Sequence, residues 1–268
     1  MAIYDCFQFF NEEHVAEIRF NILYDQVDFF VVAESTVNHQ GKPKKLNFDI
    51  KKFKKFEKKI IYIVVDDTPK NIMKYHEGGD SLVEQHQRNS IIRGLSKASD
   101  DDLIIVSDVD EIPNLKKLKY YNKNKFAVFS QKMFMFKLNL LNLEENNWHG
   151  SKICLKKNFK SAQWLRSLKF KKYPFWRIDK IRNIQIIDDG GWHFSFLQTP
   201  ENISKKIKSF AHGEFNNNNL NDEKKIEERI KNNQDVFDRG HNLKKIDIDD
   251  SFPDYIVNNV NYLKDWII

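Results

Sequence analysis

Three short apolar runs rich in β-branched residues, Phe29–Ala33 (FFVVA), Ile60–Val65 (IIYIVV) and Leu103–Val106 (LIIV), each give way within two residues to carboxylates. A strand that is apolar on both faces must be covered on both faces, which is the habit of parallel sheets layered between helices. The intervening segments carry helical spacing. Val15, Ile18, Ile22, Leu23 and Val27 recur at threes and fours, which predicts an amphipathic helix over 13–27. Ser81 stands three residues before Glu84, the spacing of a capping box, and opens a helix reaching to about Ala98. With Ile3–Phe10 as the first strand, the expected fold is α/β, a mostly parallel central sheet with helices on both faces.

Composition narrows the alternatives. The chain has 268 residues, of which 41% are hydrophobic and 22 are Phe, enough to build a sizeable core and exclude disorder along its whole length. Two cysteines, Cys6 and Cys154, exclude a disulfide scaffold and a cysteine-based zinc site, and Cys6 reads as core. The net charge of +6 is spread along the chain, too weakly to argue for nucleic acid. No apolar run approaches the roughly 20 residues needed to span a bilayer. The N-terminus lacks the basic and apolar regions of a secretory leader, so the expectation is a soluble, cytoplasmic protein. Basic stretches at 51–59 and 152–172 suit an anionic polysaccharide, peripheral contact with a membrane surface or plain solvation.

In open α/β sheets ligands bind beyond the carboxyl ends of the strands. That draws attention to Glu34, to Asp66 and Asp67, and above all to Asp108-Val109-Asp110-Glu111. Three carboxylates within four residues repel one another unless a cation gathers them. Oxygen ligands suit hard divalent ions such as Mn²⁺ or Mg²⁺, which also bridge phosphates. A strand-end D-x-D therefore fits the diphosphate of a nucleotide sugar; the alternative is a solvated acidic turn ahead of the segment after Pro113. Arg88 and Asn89 lie on the preceding helix, as phosphate or carboxylate partners or as a polar face.

The second half is less regular. Residues 126–138 form a long β-like stretch, and 144–182 are dense in Trp, Lys and Arg. Residues 184–187 lead into Asp188-Asp189-Gly190-Gly191-Trp192-His193, with two carboxylates, a Gly pair open to close ligand approach, an aromatic platform and an imidazole. A hairpin turn followed by a core Trp is the competing reading. Thr199 and Pro200 read as an N-cap and first helical residue, beginning a helix whose Ile203, Ile207 and Phe210 share a face. His212 and Glu214 form a weaker polar pair, and 222–232 reads as a charged helix. Phosphate-loop, dinucleotide, nucleophile-elbow and zinc-protease motifs are absent.

In this order, IYDCFQFFNE, VVAES with GKPK, EQHQRNSI, SDVDEIP, and GGWHFSF followed by TPENISKKIKSFAHGEF resemble glycosyltransferase family 17 over roughly residues 3–240. The family includes the β-1,4-mannosyl-glycoprotein 4-β-N-acetylglucosaminyltransferases. The resemblance implies a GT-A fold in a single domain over 1–268, with a nucleotide-sugar half at 1–113, an acceptor half at 114–240 and an extension at 241–268. It further implies inverting, metal-dependent transfer of a sugar, GlcNAc from UDP-GlcNAc in the first instance, onto a glycan acceptor. On this resemblance Asp108 and Asp110 hold Mn²⁺ or Mg²⁺ and the donor diphosphate, and Glu111 supports them or contacts the donor sugar. Glu34 contacts the nucleoside, Arg88 and Asn89 touch the donor, and His193, ahead of His212, is the C-terminal metal ligand. Inversion needs a carboxylate base on the acceptor side; Asp189 comes first, then Asp188, then Glu214. Trp148, Trp164, Trp176 and Trp192 are sugar platforms or core.

Three other readings compete. A glycoside hydrolase would use paired carboxylates with no nucleotide. A nucleotidyltransferase would need a Gly-rich loop after the first strand, which YDCFQFFNE lacks. A non-catalytic nucleotide- or carbohydrate-binding protein would keep the fold alone.

Overall fold

The computed structural model describes residues 1–72, 81–170, 174, 176–177, 181–209, 220–237 and 239–268. Its strands are β1 (Ile3–Gln8), β2 (Phe29–Ser35), β3 (Ile60–Val65), β4 (Leu103–Asp108), β5 (Glu111–Pro113), β6 (Phe126–Met135), β7 (Leu140–Asn142), β8 (Trp148–Leu155), β9 (Ile184–Ile187), β10 (Gly191–Ser195) and β11 (Leu243–Lys245). The helices are α1 (Glu13–Leu23), α2 (Leu82–Asn89), α3 (Ala162–Ser167), α4 (Pro200–Ser209), α5 (Glu223–Lys231) and α6 (Asp254–Asn258).

Strand order runs β11-β7-β6-β8-β4-β1-β2-β3, with β9 and β10 also on β6 and β5 on β10. The first four strands in sequence, β1 to β4, pair only in parallel among themselves, as the apolar runs predict. Their two faces sort by residue parity. Phe7, Phe30, Val32 and Ile105 join Val15, Ile18 and Phe20 of α1 in the largest core cluster. Cys6, Val31, Ala33, Ile104 and Val106 turn the other way, toward Ile91, Leu95 and the α3 residues Ala162 and Leu165. Cys6 is fully buried core.

Beyond β4 the sheet is mixed rather than mostly parallel: β9 and β10 run parallel to β6, but other pairs do not. The β8 strand runs antiparallel to both β4 and β6, and β7 is antiparallel to β6. The connections at 136–139 and 143–147 are too short for the crossover that parallel neighbours require, so the chain folds back on itself. Two helices are also shorter than predicted. The 13–27 helix ends at Leu23, and the 81–98 helix gives way after Asn89 to a 3₁₀ turn over Ser90–Leu95. Within that turn Gly94 packs so closely on β2 that a Cβ would stand 2.5 Å from Val31. Ser81 Oγ does accept from the Glu84 amide at 3.2 Å, as a cap should.

Candidate functional site

The end of β4 is built on a buried arginine. Asp5 of β1 and Arg19 of α1 are both fully buried, and Arg19 Nε donates to Asp5 Oδ2 at 2.7 Å. The same guanidinium donates to Ser107 Oγ and to the backbone carbonyls of Asp108, Val109 and Glu111. Three carbonyls gathered on one cation fix the turn that carries the acidic side chains. Glu111 completes it from inside. Its Oε2 accepts from the Asp108 amide at 3.0 Å, and its Oε1 from Trp148 Nε1 at 2.7 Å.

The two aspartates then diverge. Asp108 Oδ2 takes Arg166 Nη2 at 2.8 Å, and Oδ1 takes Arg88 Nη2 at 3.3 Å. Arg166 also donates to Glu111 Oε1 at 2.6 Å. Burial alone would raise the Asp108 carboxyl, but the guanidiniums of Arg166 and Arg88 outweigh it and hold the group well below the usual carboxylate range. Asp110 instead meets His193, Nε2 to Oδ1 at 3.6 Å, and Lys206, Nζ to Oδ2 at 3.7 Å. Burial pushes Asp110 up, and Lys206 and then His193 bring it below its ordinary value. Burial likewise pulls His193 down, while Asp110 and then Glu111 and Asp108 raise it above its ordinary value.

The β10 strand explains how His193 arrives. It pairs antiparallel to β5, with His193 opposite Glu111, and the Phe194 amide donates to the Asp110 carbonyl at 2.9 Å. Alternation then sends Trp192 and Phe194 into the core and aims His193 and Ser195 at a cavity of about 380 Å³. Gln8, Glu12, His39, Asp108, Asp110, Glu145, Trp148, Lys206 and Arg239 also line it. The Gly pair has a different task from the predicted one. A Cβ on Gly191, whose φ is +136°, would stand 2.2 Å from the Ile112 carbonyl, and one on Gly190 would stand 2.7 Å from Phe129 Cα. The close approach is to the protein's own strands.

Other sequence-predicted residues are placed elsewhere. Glu34 is fully buried and accepts from the amides of Asn47 and Phe48, from Tyr62 Oη and from Lys44. It anchors the loop after β2 and does not reach the cavity. Asn89 is spent on α3, where its Oδ1 accepts from the Gln163 amide. Asp188 and Asp189 are exposed on the turn before β10, and Asp189 borders a separate cavity of about 890 Å³ with Lys116, Lys117 and Trp192. Neither lines the cavity that Asp110 and His193 share. His212 and Glu214 fall outside the described residues. Trp192 is core, its Nε1 donating to the Ser251 carbonyl, and Trp164 packs on Phe126. Trp176 is exposed, and Trp148 alone of the four lines the cavity. Lys152, from the second basic stretch, is buried rather than solvated, and donates to the carbonyls of Arg166 and Leu168.

Several residues of this site went unpredicted, among them Lys206, Glu12, Glu145 and Arg166. Lys206 stands three residues after Ile203 on the apolar stripe of α4, so a lysine at a core position was the available signal. Glu12 follows β1 as the other carboxylates follow their strands; its Oε2 accepts from the amides of Phe10 and Asn11, each at 3.0 Å. Glu145 and Arg166 carry no local signal, because their partners come from distant segments.

A divalent cation is compatible with part of the predicted ligand set. Among the described residues no three His, Cys, Asp or Glu side chains gather into a metal cage. A cation that bridges phosphates needs only one or two protein ligands. The Asp110–His193 separation of 3.6 Å is near the roughly 3 Å expected between adjacent ligands with bonds of about 2.1 Å. His193 Nδ1 is buried without a hydrogen-bond partner, leaving Nε2 as the nitrogen that faces the carboxylate. Asp108, the third acidic group named by the sequence, is engaged by Arg166 at 2.8 Å and Arg88 at 3.3 Å.

No helix among the described residues is long and apolar enough to cross a membrane. The profile of glycosyltransferase family 17 matches residues 1–241. The β-1,4-mannosyl-glycoprotein 4-β-N-acetylglucosaminyltransferases of Homo sapiens, Rattus norvegicus and Mus musculus are each 23% identical to the chain over 231 residues. Those alignments cover 76% of this chain and 42% of each relative, so the chain spans less than half the length of the curated relatives it matches. The match along most of its length places the chain in glycosyltransferase family 17.

Proposed function

We propose that the chain is an inverting glycosyltransferase of GT-A type that moves a sugar from a nucleotide diphosphate donor, UDP-GlcNAc in the first instance, to a glycan hydroxyl. The observation that carries this reading is the meeting of Asp110, His193 and Lys206 beyond the end of β4, in a cavity that offers both carboxylate and cationic partners. Asp110 and His193 would hold Mn²⁺ or Mg²⁺. That ion would supply charge stabilisation on the leaving diphosphate.

The protein's own groups do the rest. Arg19 and Glu111 hold the acidic turn rigid, so Asp110 is positioned before the donor arrives. Arg88 and Arg166 keep Asp108 ionised, as an acceptor for a donor hydroxyl. Lys206 brings a positive charge to where negative charge grows on the diphosphate. Trp148, packed on His193 with ring centroids 5.0 Å apart, offers its face to a sugar.

Inversion needs a base on the opposite face of the anomeric carbon. We assign it to Glu145. Of the cavity carboxylates, Glu12, Glu84 and Asp108 have cationic partners at 3.1 Å or closer, and Asp110 is assigned to the cation. Glu145 keeps a side-chain exposure of 29% and meets Arg239 at 3.6 Å, while Arg239 is held more closely by Asp235. Glu214 is the remaining candidate from the sequence.

Calorimetric titration of UDP, UDP-GlcNAc and GDP-mannose, each with and without Mn²⁺, tests the reading. Metal-dependent binding of UDP and UDP-GlcNAc is expected. Preference for GDP-mannose would change the donor, and no nucleotide binding at all would overturn the transferase.

A further inference from the structure

Lys206 occupies an unusual position for a lysine. Its Nζ lies 3.1 Å from Glu12 Oε1 and 3.7 Å from Asp110 Oδ2, with the Phe196 ring 5.6 Å away. Its side chain keeps only 14% of its exposure. The ammonium thus faces the same carboxylate that pairs with His193, at its other oxygen. The two contacts differ in strength. Charge-assisted N–H···O bonds run at about 2.7–2.9 Å. The Glu12 contact approaches that range, whereas the Asp110 contact is electrostatic and lacks the geometry of a hydrogen bond.

We propose that Lys206 is the resident counter-ion of the Asp110–His193 seat and passes to the donor diphosphate when a divalent cation takes that seat. The second half of this inference rests on the transferase reading; the first half does not. A dication at Asp110 repels the ammonium, and the weak Asp110 contact gives way first. Glu12, fixed by the amides of Phe10 and Asn11, keeps hold of the lysine stem's end. The four-carbon stem lets Nζ turn about that anchor toward an incoming phosphate oxygen. The site then never leaves Asp110 uncompensated, which in a buried position is costly.

Removing the charge must therefore act in opposite directions on the two ligands. The free Mn²⁺ signal in electron paramagnetic resonance measures metal binding to the nucleotide-free protein, and calorimetry measures UDP binding in saturating Mn²⁺. Lys206→Met should bind Mn²⁺ alone at least tenfold more tightly than the wild type and bind UDP at least tenfold more weakly. Lys206→Gln, which can still hydrogen-bond Glu12, serves if the Met variant does not fold. Unchanged or weaker Mn²⁺ affinity in a folded variant would overturn the counter-ion role. Tighter Mn²⁺ with unchanged UDP affinity would overturn the transfer to the diphosphate. A wild type that binds Mn²⁺ but no UDP would sink the transferase reading, while the Mn²⁺ comparison still decides the first half.

Discussion

The acidic turn has two flanks that differ in kind. On one, Asp108 is clamped between two guanidiniums at hydrogen-bonding distance; on the other, Asp110 faces an ammonium and an imidazole at 3.6–3.7 Å. Planar guanidiniums bind carboxylates with fixed geometry and are hard to displace. An ammonium held only electrostatically yields to a stronger cation, and an imidazole at that distance can turn from partner of the carboxylate to fellow ligand. Two aspartates separated by one residue thus divide the work: Asp108 is held as an oriented acceptor, and Asp110 is kept exchangeable.

Both flanks hang from Arg19, so removing it should erase the difference between them and produce the largest effect. Arg19→Met leaves Asp5 buried without a partner and releases three turn carbonyls. Breaking a buried pair on one side costs about 3–5 kcal/mol. Chemical denaturation should show that loss, with UDP binding lost as well. A variant of wild-type stability would mean that the turn stands without its arginine.

The aspartates themselves separate the flanks more finely. Asp110→Asn should abolish Mn²⁺-dependent UDP binding and lower UDP-sugar turnover by about 10³-fold, within the range seen on removing a group that stabilises transition-state charge. Its fold should survive. Asp108→Asn should keep Mn²⁺ affinity within a few fold but lose about 1.5–3 kcal/mol of stability, the scale of hydrogen bonds to charged groups. Equal loss of Mn²⁺ binding in both variants, measured by the same titration, would break the distinction.

The unequal flanks also explain what the sequence could reveal. The strands β1 to β4 and the turn itself were legible because apolar runs, local helical spacing and strand-end carboxylates are short-range patterns. His193 stood out by its Gly-Gly-Trp setting and by the family resemblance, while the strand β10 that carries it was not read from the sequence. Arg166 lies on α3 and Glu145 on the loop between β7 and β8, and both reach the site only through long-range contacts, so nothing near them announces a role. Asp188 and Asp189 misled for another reason. Both sit on the exposed turn before β10, with Asp189 at a φ of +47°, where strand alternation does not apply, and neither lines the cavity that His193 enters. Glu34 carried the same strand-end signature as Asp108, yet the loop after β2 folds over it and consumes both of its oxygens.

Glu145 extends the comparison to the acceptor side. If its carboxylate accepts the proton, Glu145→Gln should lower the rate of UDP release from UDP-GlcNAc by about 10²-fold, at the low end of general-base effects. UDP affinity and Mn²⁺ dependence should stay as in the wild type, since neither flank of the turn is altered. A loss of UDP affinity would make Glu145 a binding residue, and an unaltered rate would return the role to Glu214.

The smallest effect comes from pH, and it separates the site from the scaffold that carries it. His14, on the first turn of α1, stacks on Trp266 with ring centroids 4.4 Å apart, and its Nε2 is buried without a partner. Burial pushes it down to about 4. Its folded state therefore resists protonation, and stability present above the unfolded value of about 6.5 is lost as pH falls toward 4. Between pH 7 and pH 5 that loss amounts to about 2 kcal/mol. Asp108 and Asp110 contribute little to this window, because both are held below their ordinary values and stay ionised at pH 5. His193 acts with the opposite sign: raised by Asp110, it adds stability at acid pH and loses it as pH climbs through its folded value. Burial lowers His39, which shifts in the same sense as His14. Comparing His14→Phe with the wild type isolates one of these three. The variant keeps the stacking on Trp266 and should lose about 2 kcal/mol less than the wild type between pH 7 and pH 5 in metal-free denaturation. Identical losses would show that the pH response lies outside α1, with His39 and His149 the other histidines that burial lowers.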